Sequence, residues 1–270
     1  MGKTIGIIQA RMGSERLPGK ILAPLAGRPM LAQLTARIRP ARVDEWWLAT
    51  TSEPADDATE AWGFELGLRV FRGETKNVLS RFLAIGRETD AEWVVRVTAD
   101  NPFHDAAVID TLIDARDASE TAKEADLLQL RGGVQVESLS ESEGPEHLLS
   151  PRLPIGYGVE MVRRTALERA SEEIPEDQFH HRVHVTSWLS SGAGKAPVHH
   201  VPTPTDWPDR PDWRWTVDTY EDLAMARSAF RAFGLEAASI DYPQMVAQLD
   251  AHPEICGMNE HIVQKQLEEG

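Results

Sequence analysis

Near its start the chain reads Ile5-Gly-Ile-Ile-Gln-Ala-Arg-Met-Gly-Ser-Glu-Arg-Leu-Pro-Gly-Lys20. The apolar, β-branched run at residues 5–8 predicts a short buried strand that ends at Gln9. A loop follows the strand, because three residues that interrupt regular structure come next: Gly13, Pro18 and Gly19.

Three cations are spaced along this loop: Arg11, Arg16 and Lys20. Backbone N–H groups and the N-terminus of a following helix would add hydrogen-bond donors to their charge. A cationic, glycine-bearing loop between a strand and a helix is typical of a site for an anion. The sequence therefore predicts a bound polyphosphate.

Charge is distributed unevenly along the chain. Residues 1–42 carry eight Lys and Arg against one acid, Glu15, which gives +7, whereas the whole chain is −15 and the remainder therefore −22. Duplex DNA and anionic membranes require broad positive faces, so neither is an expected partner. A small anion bound by the basic loop, alone or with a divalent cation, fits better. Arg37, Arg39 and Arg42 are expected on the surface of a helix instead.

Size and composition indicate a globular enzyme or binding protein. The 270 residues suit one large domain or one domain with an arm, and 41% of them are hydrophobic. Cys256 is the single cysteine, which excludes an intrachain disulfide and a cysteine-based zinc cluster. We expect a cytoplasmic protein, because the first apolar run is too short for a signal peptide and no run approaches transmembrane length.

Strand-like and helix-like segments alternate in the first half of the chain. After residues 5–8, strands are predicted at 46–50, 68–71 and 93–98. Helices are predicted at 30–38, 54–66, 78–85, 108–115, 220–233 and 242–249. This order predicts an α/β fold with a mostly parallel central sheet flanked by helices. Ligands of such sheets bind beyond the carboxyl ends of the strands, where the loops after the strands meet.

Two later regions are less regular. Residues 117–146 are acidic and serine-rich, and 138–144 are expected to form a mobile loop. Residues 196–215 hold five prolines and three tryptophans, which predicts an extended loop held by its aromatic side chains. The irregular region 151–215 is too long for a simple connection and rich in Trp, so we expect an arm that forms a homodimer.

Two carboxylates are predicted at strand ends far apart in sequence. Asp100 follows the strand at 93–98 and precedes Asn-Pro, so it is either a Mg²⁺ ligand facing the basic loop or a cap for the next helix. Asp218 follows a short strand-like run, and Thr219 with Asp222 resembles a capping box. Asp100 and Asp218 are therefore candidates for a shared metal site.

Other patterns argue against competing chemistries. His180 and His184 are four residues apart, but no acidic third ligand has zinc-like spacing, so zinc is disfavoured. The Gly-x-Ser-x-Gly and Walker A patterns are absent, and Gly-x-Gly-x-x-Gly does not follow the first strand. NAD binding is disfavoured for that last reason.

Several segments together resemble a known family. The stretch Ile8-Gln-Ala-Arg-Met-Gly-Ser-Glu-Arg-Leu-Pro-Gly-Lys20 closely resembles the N-terminal signature of the cytidylyltransferases, which include CMP-KDO synthetase and CMP-sialic acid synthetase. Its Gln-Ala-Arg-Met-Gly-Ser variant looks most like the branch named spore coat polysaccharide biosynthesis protein F. Further similar segments follow in the family's order, at 49–52, 70–74, 77–82, 95–103 and 215–223.

The resemblance implies a GT-A-like nucleotidyltransferase fold that binds CTP and Mg²⁺, transfers CMP to a sugar or sugar-like acceptor and releases pyrophosphate. It implies that Asp100 and Asp218 hold the metal and that the catalytic residues are Lys20, Arg11 and Asp100. The implied nucleotide-binding residues are Ala10, Arg11, Met12, Gly13, Arg16, Lys20, Arg72, Ser80 and Arg81. The implied acceptor-binding residues are Tyr157, Glu160 and His184. Residues 1–130 would bind the nucleotide, and residues 150–215 would bind the acceptor and form the dimer.

The acceptor side departs from the family pattern. The branch usually has Arg-Glu-His-Val-Thr where this chain has Arg182-Val-His-Val-Thr186, so Val183 replaces an acid. The sequence leaves the acceptor open, and also the choice of CTP against GTP. The alternatives are a GT-A glycosyltransferase that uses a nucleotide sugar and a non-catalytic nucleotide-binding subunit. The joint presence of Arg11, Lys20, Asp100 and Asp218 argues against the second.

Overall fold

The structure is a computed structural model that describes residues 2–130, 153–234 and 237–264. Its strands are β1 (Thr4–Gln9), β2 (Pro24–Leu25), β3 (Arg28–Pro29), β4 (Glu45–Thr51), β5 (Arg69–Gly73), β6 (Trp93–Thr98), β7 (Leu127–Leu130), β8 (Val159–Arg163) and β9 (Val198–His200). Its helices are α1 (Met30–Ile38), α2 (Asp57–Glu65), α3 (Val78–Thr89), α4 (Ala106–Ala118), α5 (Glu120–Glu124), α6 (Arg164–Glu173), α7 (His180–His184), α8 (Ser187–Ser190), α9 (Tyr220–Phe233), α10 (Tyr242–Asp250) and α11 (Pro253–Cys256).

Seven strands form the central sheet in the order β5-β4-β1-β6-β8-β7-β9, and β2 and β3 form a separate antiparallel pair. Strands β5, β4, β1 and β6 are parallel, whereas β8 is antiparallel to both β6 and β7. The predicted α/β fold with a mostly parallel sheet is therefore confirmed. The later strands β7, β8 and β9 were not predicted, because they lie among polar or irregular sequence.

Both faces of the sheet are buried. Side chains alternate along β1, so Ile5 and Ile7 join the core on one face and Ile8 joins the core on the other. Each such fully buried side chain contributes about 1.5–3 kcal/mol relative to an exposed one. Gly6 is required at its position, because a Cβ atom there would lie 2.2 Å from the Trp46 ring. The apolar run at the start of the chain thus forms the centre of the sheet.

Aromatic side chains hold the segment that follows β9, as predicted. The Trp215 ring lies 4.9 Å from that of Phe103, and the Trp207 ring lies 4.9 Å from that of Tyr242. These rings belong to the larger of the two cores, which also contains the buried sides of α9 and α10. The mobile loop expected at 138–144 lies outside the described residues. Within the described part of the chain, no helix is long and apolar enough to cross a membrane.

Arg37 corrects one expectation. It was expected on a helix surface, but it is 1% exposed and donates hydrogen bonds to backbone carbonyls of Phe103, His104, Ala237 and Ile240. Burial lowers the pKa of the guanidinium, although Asp105 nearby opposes this shift. Arg37 therefore joins α1 to the C-terminal part of the domain. Arg39 and Arg42 are exposed, as expected.

Candidate active site

A cavity of about 430 Å³ lies at the carboxyl ends of β1 and β6. Its walls come from the loop after β1, the start of α3, β6 and the turn that follows it, residues 155–156, residues 183–184, residues 216–218 and Gln264. This is the edge of the sheet at which the sequence predicted a ligand. Segments distant in the sequence meet here because parallel strands present their carboxyl ends together.

The loop after β1 is folded compactly by its own backbone. The Met12 carbonyl accepts hydrogen bonds from the N–H groups of Ser14 and Gly19, both at 2.9 Å. Gly19 has φ of 74°, a left-handed conformation that favours glycine. The Met12 N–H donates to Asp56 Oδ1 at 2.7 Å, so the buried Asp56 fixes the start of the loop. The cations of the loop are thereby positioned along one wall of the cavity.

Lys20 is the central cation of the site. Its Nζ donates to Asp100 Oδ2 at 2.8 Å, to the Val217 carbonyl at 2.8 Å and to Asp218 Oδ1 at 2.9 Å. Burial alone would lower the pKa of Lys20, but the two carboxylates outweigh it and raise that pKa. Burial likewise opposes ionisation of Asp100, and Lys20 outweighs it and lowers the pKa of that carboxyl group. Lys20 and Asp100 are therefore both charged.

Asp218 is held by two further cations. Its Oδ2 atom lies 3.1 Å from Arg16 Nη2 and 2.9 Å from Arg214 Nη2. Arg214 is almost fully buried, whereas Arg16 is partly exposed at the cavity. The two oxygens of Asp218 therefore have separate roles, since Oδ1 faces Lys20 and Oδ2 faces the arginines.

Asp222 fixes the positions of both Asp218 and Arg214. It is fully buried, and its Oδ1 atom accepts from Arg214 Nε at 2.9 Å and from Asn259 Nδ2 at 2.8 Å. Its Oδ2 atom accepts the N–H groups of Asp218 and Thr219, both at 2.9 Å. The predicted capping box of Thr219 and Asp222 is confirmed at the start of α9. Asp222 thus combines helix capping with a buried ion pair.

Arg81 on α3 lines the same cavity and has fewer partners than Lys20. Arg81 is 2% exposed, and within the described residues its nearest hydrogen-bond acceptor is the Ala49 carbonyl, 3.4 Å from Nη1. Its Nε atom is buried without a hydrogen-bond partner in the same part of the chain. Burial, together with the nearby Arg11, lowers the pKa of Arg81 to about 10. The site therefore contains a buried positive charge that an anionic ligand would satisfy.

A second group of polar residues lies beside the first cavity. Arg96 Nε donates to Gln9 Oε1 at 3.2 Å, and its Nη1 donates to Glu160 Oε2 at 3.2 Å. Glu160 also accepts from Gln129 and from the Thr186 hydroxyl. An adjoining cavity of about 230 Å³ is lined by Glu160 and shares Arg96 with the larger one. Charges on this side are paired with each other.

Sequence reasoning assigned no role to several residues of the site. Gly156 has φ of 89°, and a Cβ atom there would lie 2.7 Å from Thr216 and 3.0 Å from Asn101 Oδ1, so the close approach requires glycine. Arg96 gave a usable signal, because a charged residue inside an apolar strand needs a partner. Arg214 likewise stands between two tryptophans and four residues before Asp218, a spacing that could have suggested the pair.

The structure brings together most of the predicted site residues. Those that line the larger cavity are Ala10, Arg11, Arg16, Lys20, Arg81, Asp100, His184 and Asp218. Met12 and Gly13 belong to the same loop but do not line the cavity. Ser80 does not line it either, since its hydroxyl donates to the Asn77 carbonyl at 2.7 Å at the start of α3.

Two predicted residues lie away from the cavity. Arg72 is engaged with carboxylates of α2, at 2.7 Å from Asp57 and 2.9 Å from Glu60, and does not line the cavity. Tyr157 is fully buried, and its ring lies 4.7 Å from that of Tyr242 in the aromatic core. In this arrangement Arg72 acts as an ion-pair partner of α2 and Tyr157 as a core residue, so neither is placed for direct ligand contact.

The donor set at Lys20 fits a divalent cation. Asp100 Oδ2 and Asp218 Oδ1 both lie within 2.9 Å of one positively charged nitrogen, so the two oxygens already converge on a cation. Mg²⁺ commonly takes one or two carboxylates and completes its shell with phosphate and water oxygens. Within the described residues, no cluster of three acidic, His or Cys side chains could hold a metal alone. Phosphate and water oxygens would therefore complete the coordination.

Comparison with known proteins extends these observations. The sequence profile of the cytidylyltransferase family matches residues 5–180. The chain is 28% identical over 260 residues to the spore coat polysaccharide biosynthesis protein SpsF of Bacillus subtilis (strain 168), covering 94% of this chain and 97% of that protein.

Solved structures show the same fold. A cytidylyltransferase from Leptospira borgpetersenii serovar Hardjo-bovis (strain JB197) superposes with a TM-score of 0.80 at 23% identity, covering 98% of this chain and all of the other. A CMP:2-keto-3-deoxy-manno-octonic acid synthetase complexed with CTP gives 0.60 at 18% identity, covering 85% and 98%. Since the family profile spans well over half of the sequence, the chain belongs to the cytidylyltransferase family and is a nucleotidyltransferase enzyme.

Proposed function

We propose that this enzyme transfers CMP from CTP to a sugar or sugar-like acceptor, with Mg²⁺ as cofactor and with release of pyrophosphate. The observation that carries the proposal is the set of cations around one cavity at the carboxyl end of β1: Arg11, Arg16, Lys20 and Arg81. Arginine and lysine form strong charge-assisted hydrogen bonds with phosphate oxygens. Four of them at one cavity suit a triphosphate better than a singly charged ligand.

In the proposed reaction an acceptor hydroxyl oxygen attacks the α-phosphorus of CTP. The new P–O bond forms as the bond to the oxygen bridging the α- and β-phosphates breaks, so pyrophosphate leaves and the hydroxyl proton passes to solvent. Lys20, Arg11 and Arg16 would stabilise the negative charge that grows on the leaving group. Loss of one such preorganised donor typically lowers turnover by about 10²–10³.

Asp100 and Asp218 would hold the metal ion. When bound, Mg²⁺ neutralises phosphate charge and orients the triphosphate for displacement. Arg214 would keep Asp218 in position, because it is buried and contacts both Asp218 and Asp222. The same carboxylates that anchor Lys20 thus become the cation site of the nucleotide complex.

The acceptor is proposed to bind between the nucleotide cavity and the adjoining cavity at Glu160. Arg96 and His184 border this space, and Asn101 lies on the wall that the two cavities share. Donors and acceptors of this kind match the hydroxyl groups of a sugar. A role in surface polysaccharide or glycoconjugate synthesis is supported by the name of the Bacillus subtilis relative, and CTP by the nucleotide in the synthetase complex.

We further propose a cytoplasmic homodimer in which residues 1–130 bind the nucleotide and residues 150–215 bind the acceptor and form the interface. The support is the length of this second region, which exceeds that of a simple connection. Analytical ultracentrifugation should give the mass of a dimer. A monomer mass that does not change with concentration would rule the dimer out.

The reaction is tested by a pyrophosphate-release assay with each nucleoside triphosphate, Mg²⁺ and a panel of acidic sugars and sugar phosphates. We expect release with CTP and one class of acceptor, and its loss in Lys20→Ala. The matched control is Lys3→Ala, which removes a lysine that pairs with Glu45 away from the cavity. Release of a nucleoside diphosphate from a nucleotide sugar would indicate a glycosyltransferase instead.

A further inference from the structure

The ammonium group of Lys20 is fully engaged. An ammonium has three N–H donors, and the Asp100, Val217 and Asp218 oxygens accept them at 2.8–2.9 Å. The side chain is only 8% exposed. In this arrangement Lys20 has no donor left for a phosphate oxygen, and its nitrogen fills the space between the two carboxylates.

The backbone of Lys20 is fixed at the same time. Its N–H donates to the Leu17 carbonyl at 3.2 Å, and its carbonyl accepts from Ala23 at 3.0 Å within a 3₁₀ turn. If the ammonium group of Lys20 exchanges its hydrogen-bond partners, only the side chain therefore has to move. Lysine suits such a movement, because its charge sits at the end of four flexible methylenes.

The carboxylates are arranged so that loss of Lys20 frees one oxygen on each. Asp218 Oδ2 is held by Arg16 and Arg214, whereas Asp218 Oδ1 and Asp100 Oδ2 meet at Lys20 Nζ. Without Lys20 these two negatively charged oxygens would lie close together with no cation between them. A divalent cation is the species that would satisfy both.

We propose that Lys20 and the divalent cation exchange places: in the nucleotide-free enzyme the ammonium occupies the cation position, and the triphosphate draws it away so that the cation enters. This inference rests on the proposed function for the identity of the nucleotide. Lys20 thereby makes the carboxylates a weak metal site until nucleotide arrives. Metal and nucleotide binding are coupled through one side chain.

The test measures Mn²⁺ binding to nucleotide-free protein by electron paramagnetic resonance of the free ion. Wild-type protein should bind Mn²⁺ at this site only weakly, and Lys20→Met should bind it at least tenfold more tightly. Lys20→Met should also melt at a lower temperature than wild type without metal, and Mg²⁺ should restore its melting temperature. Wild-type protein without nucleotide should show no such Mg²⁺ effect.

Arg16→Met is the matched control. It also removes one positive charge from Asp218, but from Oδ2 rather than Oδ1, and it leaves Lys20 in place. Arg16→Met should therefore not reproduce the tenfold gain. If both variants bound Mn²⁺ more tightly by the same factor, the gain would follow from the loss of one positive charge alone. That result would overturn the proposed exchange.

The proposed exchange would also be overturned if the wild-type protein bound Mn²⁺ as tightly as Lys20→Met does. Should Lys20→Met fail to fold, Lys20→Gln keeps a polar side chain at this buried position and removes the charge, and the same gain is expected. These outcomes are independent of the reaction. A wild-type enzyme that shows the exchange but releases no pyrophosphate from CTP would refute the proposed function alone.

Discussion

The two sides of the site that we propose for the nucleotide and for the acceptor differ in how their charges are compensated. On the nucleotide side, Arg81 is buried with no carboxylate at hydrogen-bond distance among the described residues, and Arg11 lines the cavity with no ion pair in that same part of the chain. On the acceptor side, Arg96 is paired with Glu160, which has further donors in Gln129 and Thr186.

This difference separates two kinds of recognition. An unpaired buried cation destabilises the free protein, and an anion that pairs with it removes this cost. Such a cation therefore strengthens the binding of phosphate. A paired cation contributes little net charge and instead offers directional hydrogen bonds. The nucleotide side is therefore suited to recognising a ligand by its negative charge. The acceptor side is suited to recognising a ligand by the positions of its hydroxyl groups. Asp100 and Asp218 line the nucleotide cavity, where they pair with Lys20 and Arg16.

The largest effect is expected at Asp100 and Asp218. Asp100→Asn and Asp218→Asn should each lower turnover by about 10²–10³, because each removes one of the charges proposed to hold Mg²⁺ against the triphosphate. Pyrophosphate release measured against Mg²⁺ concentration checks this. Asp110→Asn, at an exposed ion pair with Arg42, is the control. Near-normal turnover and Mg²⁺ dependence in Asp218→Asn would refute the two-carboxylate site.

Asp222→Asn should act on stability. It removes one of the two carboxylate charges that compensate the buried Arg214, and breaking a buried pair costs about 3–5 kcal/mol. We expect a loss near the lower end of that range in urea unfolding, since Asn keeps one acceptor oxygen. Asp241→Asn, at the exposed capping box of α10, should cost at most about 1 kcal/mol. Equal losses would mean that Asp222 acts as a helix cap alone.

Arg81→Met and Arg96→Met compare the two sides directly. Arg81→Met should weaken CTP binding by about 1.5–3 kcal/mol, since it removes hydrogen bonds to a charged ligand, while the melting temperature holds or rises. Arg96→Met should leave CTP affinity nearly unchanged and lower the melting temperature, because it leaves Glu160 unpaired. Calorimetric titration and thermal melts measure both. If Arg96→Met weakened CTP binding and Arg81→Met did not, the nucleotide side and the acceptor side would have to be exchanged.

Glu160→Gln should affect the acceptor rather than the nucleotide. The change keeps the shape of the side chain and releases Arg96 from its ion pair. The KM for the acceptor should therefore change roughly fivefold, which corresponds to about 1 kcal/mol of binding free energy. The KM for CTP should stay constant in the same steady-state assays. A change confined to the KM for CTP would place Glu160 in the nucleotide site.

The smallest effect concerns acid stability. Burial opposes ionisation of Asp222, but hydrogen bonds from Asn259 and Arg214 outweigh it and hold the pKa of that carboxyl group below its usual 3.8. Its contribution to stability is therefore complete above about pH 5 and is lost as the pH falls through the folded pKa. Unfolding free energies at pH 3–5 should decline more steeply for wild type than for Asp222→Asn. Parallel curves would contradict this.

Much of the fold could be predicted from local patterns. The apolar runs of β1, β4 and β6 and the periodic helices α1 and α9 are strong signals, and they place Lys20 and Asp100 at one edge of the sheet. Asp218 was reached because it ends a strand-like run before a capping box. Lys20 and Asp100 owe their positions to regular structure, which sequence periodicity reports, whereas the run before Asp218 forms only an isolated bridge at Arg214.

The remaining residues depend on contacts between distant segments. Arg37 continues the apolar stripe of α1 one turn after Leu34, but its carbonyl partners lie at 103–104, 237 and 240, and no local pattern indicates them. Arg72 and Tyr157 stand in family-like segments, yet an ion pair with α2 and an aromatic core determine their surroundings. Such contacts follow from tertiary packing rather than from spacing.

The two arginines on Asp218 have a consequence for the entropy of binding. A free carboxylate must give up rotational freedom when it coordinates a cation, and that loss reduces affinity. Arg16 and Arg214 already restrict Asp218, and Arg214 is itself ordered by Asp222. The ordering is therefore completed as the chain folds, so a cation that binds here with nucleotide, as proposed, would meet an oxygen whose orientation is already set.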